Sequence, residues 1–316
     1  MVSDVRFPKT CSLDVVGIGN AIVDVLVQTE DAFLTQHSLQ KGGMALIDEQ
    51  PAEALYTASG PGLETSGGSV ANTMVGIAQL GGRAGFIGRV KNDQLGGIFS
   101  HDIRAVGARF DTPAATTGAT TARCLIYVTP DAERTMCTFL GASTQLEPDD
   151  LDLSMVSDTK VLYLEGYLWD SPAAKRAFIA AAEACRAANG QVALSLSDGF
   201  CVDRHRDSFL DLVNGHVDVL FANEVEIKSL YQTEDFDTAI EKVRGCCSVT
   251  AVTRGSDGSV VLSGDQRWDI GIYGLGELVD TTGAGDLYAG GFLHAFTQGH
   301  SLERCGQLGA LCAGQI

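Results

Sequence analysis

The sequence predicts an α/β fold: a mostly parallel sheet with helices on both faces, carrying a small separate β-sheet. Three observations point there. Short apolar runs alternate with segments of helical period for most of the chain. Two segments, about 22–48 and 118–143, interrupt that alternation and lack long helical periods. Near the end, Asp280-Thr281-Thr282-Gly283-Ala284-Gly285-Asp286 runs straight into the apolar helical stretch Leu287–Leu293.

The elements follow in order. Leu13–Ile18 is continuously apolar, as in a strand buried on both faces. Ser69–Leu80 has helical spacing, and Gly81-Gly82 stops it. Ala84–Val90 reads as strand and Gln94–Val106 as helix. Val161–Leu164 is the next strand. Ser171-Pro172 supplies an N-cap and a first-turn proline for a helix to about Asn189, which Gly190 ends. Val192–Leu196, Val217–Phe221 and Val249–Thr253 are further buried strands. Helices fall at about Asp207–Val213, Glu224–Tyr231 and Thr238–Arg244, and a closing one starts near Ala284. Strand and helix in this order make parallel pairs joined by crossovers.

In the second interruption, Thr121–Thr129 and Arg134–Leu140 flank Pro130-Asp131-Ala132-Glu133, a hairpin with turn chemistry at its tip. Two β insertions from one α/β core suit a lid that closes over a site and excludes water. A dimerisation sheet, or plain decoration, fits the pattern equally well. Leu308–Ile316 ends in an apolar, helix-like pattern without a stop signal, so a further element is expected after it.

A length of 316 residues and 45% apolar content allow one large α/β domain with a full core. The net charge of −18 argues against nucleic acid or anionic membrane as partner. Any phosphate bound here must be held by backbone donors, metal and a few cations. The nine cysteines show no C-x-x-C spacing and read as reduced core residues of a cytoplasmic protein. Met1–Thr10 has no signal-peptide core, and no run reaches the length of a membrane span.

The chemistry concentrates in a few motifs. Gly283-Ala284-Gly285 opens a helix and leaves backbone N–H groups unshielded, an anion site by construction. Asp286 beside it suits a base that deprotonates a hydroxyl attacking a phosphate; the blander reading is favourable interaction with the helix dipole. There is no P-loop signature. Gly17-Ile18-Gly19-Asn20-Ala21-Ile22 has Ile22 where a dinucleotide fingerprint needs its third glycine, which disfavours an NAD-dependent oxidoreductase.

Gly67-Gly68 precedes a clear helix and lets a ligand approach the backbone, with Asn72 one turn in; a flexible turn is the alternative. Asn20 and Asp24 leave the first strand at its C-terminal end, where open α/β folds bind ligands. Asp24 suits vicinal hydroxyls, or is a solvated lid residue. Asn223 and Glu226 share a helix face and offer oxygens to magnesium or its waters, and also fit a capping box. Thr253, Gly255 and Gly258, in Thr253-Arg254-Gly255-Ser256-Asp257-Gly258, present backbone to a nucleotide or make a hairpin turn.

Taken in order, GGSVAN at 67–72, GRVKNDQLG at 88–96, NEVE at 223–226 and DTTGAGD at 280–286 resemble the PfkB, or ribokinase-like, family of small-molecule kinases over essentially the whole chain. Within that family, GIGNAIVDVLV, DAFLTQHSL, LSLSDGF and VDVLFANEVE look most like adenosine kinases. The resemblance implies a three-layer α/β/α ribokinase-like core with a β lid, ATP as donor, magnesium, and a monovalent cation near Asp280 and Thr282. Carried over by motif, Asp286 is the base and Gly283, Ala284 and Gly285 form the anion hole. Asn223 and Glu226 support magnesium. Asn20, Asp24, Gly67, Gly68 and Asn72 hold the ribose, Arg134 swings over the phosphates from the lid, and Phe200 with Tyr167 lines the base pocket.

The reaction so implied is transfer of the γ-phosphate to the 5′-hydroxyl of a ribonucleoside, adenosine to AMP. The alternatives are a kinase for ribose, fructose or a keto-deoxy sugar acid, and a non-catalytic nucleoside sensor, which an intact Asp286 and anion hole disfavour. Expected partners are the small-molecule acceptor and ATP, on a monomer or homodimer. One departure stands out. Where eukaryotic adenosine kinases carry a glutamine and paired phenylalanines near the base, this chain has Met44 and Tyr167-Leu168-Trp169.

Overall fold

The computed structural model describes Phe7, residues 11–276 and residues 282–315. The first half runs β1 (Leu13–Ile18), β2 (Ile22–Gln28), α1 (Asp31–Gln36), β3 (Met44–Leu46), α2 (Glu49–Ala58), β4 (Leu63–Gly67), α3 (Ser69–Gln79), β5 (Ala84–Ile87), α4 (Gln94–Ala105), β6 (Ala122–Val128) and β7 (Arg134–Phe139). Next come α5 (Leu153–Ser157), β8 (Thr159–Glu165), α6 (Pro172–Ala187), β9 (Gln191–Ser195), α7 (Gly199–His216), β10 (Val219–Asn223), α8 (Glu224–Tyr231) and α9 (Phe236–Val243). The chain continues through β11 (Val249–Thr253), β12 (Ser259–Ser263), β13 (Gln266–Ile270), α10 (Ala284–Thr297) and α11 (Leu302–Ala313).

The main sheet has eight strands in the order β13-β12-β11-β10-β9-β8-β1-β5. From β11 to β5 every pair is parallel, and β12 and β13 add an antiparallel edge. Successive residues of a strand point to opposite faces, so the apolar run of β1 serves two cores. Val15 packs on the side of α3, α4, α10 and α11, with Ile77, Phe99 and Phe292. Val16 and Ile18 pack on the side of α5 to α9, with Phe178, Phe209 and Ile227. The result is three layers, α/β/α.

The second sheet has the order β3-β7-β6-β2-β4. One of its faces is apolar and covered by α1 and α2: Val23, Val25, Leu125, Tyr127 and Cys137 pack there with Leu34 and Leu55. The other face, with Ile22, Asp24, Cys124, Ile126, Met136 and Thr138, turns to a cleft above the main sheet.

Several boundaries differ from the sequence reading. The first β segment includes β4, beyond residue 48, because Glu64-Thr65-Ser66 is polar yet pairs with β2 along the edge. The helix expected at Asp207–Val213 begins at Gly199, capped by the Asp198 carboxylate. His205 has non-helical φ/ψ (−125°, 23°), so the apolar period restarts there and conceals the first turns. Strands β12 and β13 were not anticipated. The Thr253–Gly258 stretch is the bend between antiparallel β11 and β12, its hairpin reading. The strand from Ala84 ends at Ile87, short of Val90. All nine cysteines are free thiols. Among the described residues no helix is long and apolar enough to cross a membrane.

Candidate active site

The C-terminal ends of the parallel strands and the uncovered face of the second sheet line a cleft of about 690 Å³. Asp286 lines it, as the third residue of α10. Gly283 caps this helix in a left-handed conformation (φ 83°) with no side-chain cap. The first i→i−4 bond of the helix runs from Leu287 N to Gly283 O at 2.9 Å. The N–H groups before it therefore have no intrahelical acceptor. Gly283 and Gly285 line the cleft, and a side chain added at Gly285 would meet only open space, so the backbone there is approachable.

The Asp286 carboxylate accepts from Ser69 Oγ at 2.6 Å and from Asn72 Nδ2 at 3.1 Å, while Thr73 Oγ1 donates to its backbone oxygen. Burial pushes its pKa up to about 6, against the pull of the Ser69 and Asn72 donors. A carboxylate with that pKa is ionised near neutral pH and can accept a proton there.

Asp24 stands on β2 across from Cys124. Burial, and then the charge of Asp286, pushes it up to about 6. Its carboxylate lies over Gly67, where a Cβ would sit 2.3 Å from Oδ2. Among the described residues no donor is bonded to it, so its oxygens face the cleft ready to accept. Gly68 has φ 101° and abuts the carbonyl of Asn20, so only glycine fits that approach.

Asn20 and Asn72, expected to hold a ribose, line the cleft but are engaged by protein carboxylates. Asn72 donates to Asp286. Asn20 is 2% exposed; its Nδ2 donates to Glu165 Oε1 at 2.5 Å and its Oδ1 accepts from Ser143 Oγ at 2.7 Å. Glu165, at the end of β8, was not anticipated. It is buried, lines the cleft, and is pushed up to about 7 by that burial. The signal was the Glu165-Gly166 step ending an apolar strand where ligands bind.

Tyr167, 40% exposed, and Phe200, 78% exposed, line the same cleft as Met44 and Leu46 of the second sheet. Leu168 and Trp169 belong to the core, which corrects their assignment beside a base: Trp169 stacks on Phe209 and donates to Ser208 Oγ. Only Tyr167 of that trio reaches the cleft, because the single 3₁₀ turn Gly166–Asp170 points its neighbours inward.

Asn223, Glu226 and Thr253 line the cleft together with Thr282 and Gly283. Asn223 and Glu226 form a complete capping box, with Asn223 N and Nδ2 donating to the Glu226 carboxylate at 2.9 and 2.6 Å. Burial raises Glu226 to about 7. No group of three or more metal-ligating side chains exists among the described residues. The pair therefore fits magnesium through its waters better than by direct ligation. Gly255 and Gly258 sit in the β11–β12 bend, outside the cleft lining, and Ala284 is likewise not part of the wall. Arg134 is at the start of β7, on the face of Met136 and Thr138 but two residues nearer the hairpin tip, at the rim of the second sheet. Thr282 lines the cleft; Asp280, its expected partner at a monovalent cation, lies outside the described residues.

Comparison with known proteins bears on this geometry. The family model "pfkB family carbohydrate kinase" matches residues 59–316. The chain belongs to the PfkB family. It is accordingly a phosphotransferase with an alcohol group as acceptor, and the family implies ATP as donor. The crystal structure of adenosine kinase from Sinorhizobium meliloti is 50% identical, covers 96% of this chain and 93% of its own, and superposes with a TM-score of 0.87. A probable sugar kinase from Rhizobium etli is 48% identical over 96% of this chain and 92% of its own, with a TM-score of 0.88. The probable fructokinase-6, chloroplastic, of Arabidopsis thaliana is 30% identical over 82% of this chain and 70% of its own length.

Proposed function

We propose that this PfkB-family kinase transfers the γ-phosphoryl group of ATP to the 5′-hydroxyl of a ribonucleoside, adenosine before others, giving AMP in purine salvage. The supporting observation is the set of groups that one cleft brings together: a buried carboxylate at a bare helix N-terminus, the acceptor carboxylate of Asp24, and exposed aromatic side chains. A ribonucleoside offers a partner for each: a primary hydroxyl, vicinal hydroxyls and an aromatic base.

In this reading Asp24 accepts from the 2′- and 3′-hydroxyls while Tyr167 and Phe200 pack on the base. Asp286 then takes the proton of the 5′-hydroxyl as it attacks. The N–H groups of Gly283, Ala284 and Gly285 hold the charge on the phosphoryl oxygens. Asn223 and Glu226 orient the waters of magnesium, which neutralises phosphate charge when bound, and Thr253 borders the nucleotide. Gly255 and Gly258 shape the bend that carries it. Arg134 reaches the phosphates when the lid closes.

A sugar acceptor is the second reading, favoured by the relatives named as sugar kinases. Charge narrows it. Six carboxylates line the cleft (Asp24, Glu165, Asp170, Asp198, Glu226 and Asp286), and its one described guanidinium, Arg204, is already bonded to Asp170. That lining favours a neutral acceptor over an anionic sugar acid. One ATP-coupled assay with adenosine, guanosine, inosine, ribose and fructose separates the readings. The highest kcat/KM with a free sugar overturns the nucleoside assignment.

A further inference from the structure

Two glycines remain unexplained by any nucleotide fingerprint. A Cβ at Gly17 would lie 2.3 Å from Val70 Cγ1, and one at Gly19 would lie 2.4 Å from Glu165 Oε2. Gly17 thus lets α3 press on β1, and Gly19 leaves room for a buried carboxylate. That carboxylate accepts from Asn20 Nδ2 at 2.5 Å, from Asn20 N at 3.3 Å and from Val70 N at 3.2 Å. Its donors lie on different elements. Asn20 is the crossover from β1 into the lid strand that carries Asp24. Val70 is in the first turn of α3, between Ser69 and the turn of Asn72, the two donors that fix Asp286.

We propose that Glu165 is a positioning residue: it ties the lid strand bearing Asp24 and the α3 turn that holds Asp286 to the end of β8, and so fixes the acceptor hydroxyl against its base. It acts through Asn20 and Val70, whose three N–H groups are bonded to both of its oxygens. The proposal rests on the phosphotransferase reading of the cleft and not on which acceptor is used. A misplacement of about 1 Å at a reacting centre costs on the order of 100-fold in rate. Loss of this anchor therefore falls on the acceptor side of the reaction and spares the ATP side, whose lining comes from β10, β11 and the start of α10.

The test compares wild type with Glu165→Gln, whose amide NH₂ cannot accept from the donors now facing it. Both are assayed with the acceptor that wild type prefers, so an error about adenosine does not count against Glu165. The expected result is a fall in kcat/KM for the acceptor of roughly 10- to 100-fold, with KM for ATP within about twofold and an intact fold by circular dichroism. A rise in KM for ATP as large as the loss for the acceptor, or no loss for the acceptor, overturns the proposal. Gly19→Ala is the second variant, since it keeps the carboxylate but displaces it. The same split is expected there, and wild-type acceptor kinetics with a folded protein overturns the assignment. If neither variant folds, Glu165 is a core residue only and the proposal fails.

Discussion

Ser69 Oγ donates to Asp286 Oδ1 over 2.6 Å, although 217 residues separate them in the chain. The bond joins the first turns of two helices, α3 and α10, that pack side by side on one face of the main sheet. Both helices begin at glycines with positive φ, Gly68 and Gly283, and residues of both first turns line one cleft. The carboxylate of one helix is thereby held by the first turn of the other. It lines the cleft, and among the described residues no cationic partner holds its pKa down.

Asp286→Asn removes the base and keeps the shape. Ser69 and Asn72 retain a partner, so the fold and ATP affinity stay close to wild type. Turnover falls by about 10²–10⁴-fold, the usual cost of losing a general base. Steady-state kinetics with calorimetric ATP binding checks both halves. A variant with near wild-type kcat ends the assignment.

The acid limb of activity follows from the same carboxylate. Asp286 and Asp24 are each pushed up to about 6, and both work in the ionised form. The log of kcat/KM is expected to rise with pH through about 6 and level off above 7, with a slope steeper than one where the two titrate together. A limb near 4 would mean that neither carboxylate titrates as the fold arranges it.

Much of this was legible in the sequence because it rests on local chemistry. Buried strands such as Leu13–Ile18 and Val249–Thr253 are continuous apolar runs, and the N-caps Ser171 and Asn223 sit where their motifs place them. The glycine turn before Asp286 announces a helix N-terminus. What was hidden is what tertiary contact creates. Glu165 becomes a site residue only when the main sheet brings it beside Asn20 and Val70. The first turns of α7 were masked by the break at His205. β4 was missed because polar edge strands have no apolar run to mark them. Trp169 looked like a base-pocket residue beside Tyr167, and the turn that exposes one buries the other.

Buried carboxylates also leave a mark on stability. Burial raises Glu226 to about 7 from the ordinary 4.5, so the folded chain binds that proton more tightly than the unfolded one. Its contribution is fully present below the unfolded pKa and is lost as pH rises through about 7. Glu165 acts in the same sense. The melting temperature of the ligand-free protein should therefore be higher at pH 5.5 than at pH 8. Glu226→Gln, neutral at every pH, should flatten that slope. Scanning calorimetry at both pH values decides it, and an unchanged slope in the variant rules Glu226 out as a source.

Arg134 is assigned to the phosphates on lid closure, so its loss should act on turnover. Arg134→Ala is expected to lower kcat by about 10-fold or more while nucleoside affinity without ATP changes little, since arginine–phosphate bonds are charge-assisted and form only in the closed state. Equilibrium nucleoside binding set against kcat gives the answer. Collapse of nucleoside affinity with kcat preserved would move Arg134 into the acceptor pocket.

Asp24 carries the strongest claim about the acceptor. Among the described residues it has no hydrogen-bond donor, and Gly67 beneath it leaves no room for a side chain that would lift it away. An ionised carboxylate so placed can accept from two adjacent hydroxyls at once. Removing one hydroxyl leaves a buried acceptor unpaired, and sites built on such bonds discriminate strongly. With wild type, 2′-deoxyadenosine and 3′-deoxyadenosine should each lose at least about 10-fold in kcat/KM relative to adenosine, on the order of one unpaired hydrogen bond. With Asp24→Asn, adenosine should lose more than either deoxynucleoside, so the preference shrinks. Gly67→Ala should raise KM for adenosine without touching KM for ATP, because its Cβ would sit 2.3 Å from the Asp24 carboxylate. If the deoxynucleosides match adenosine with wild-type enzyme, the kinase stands and the role given to Asp24 falls.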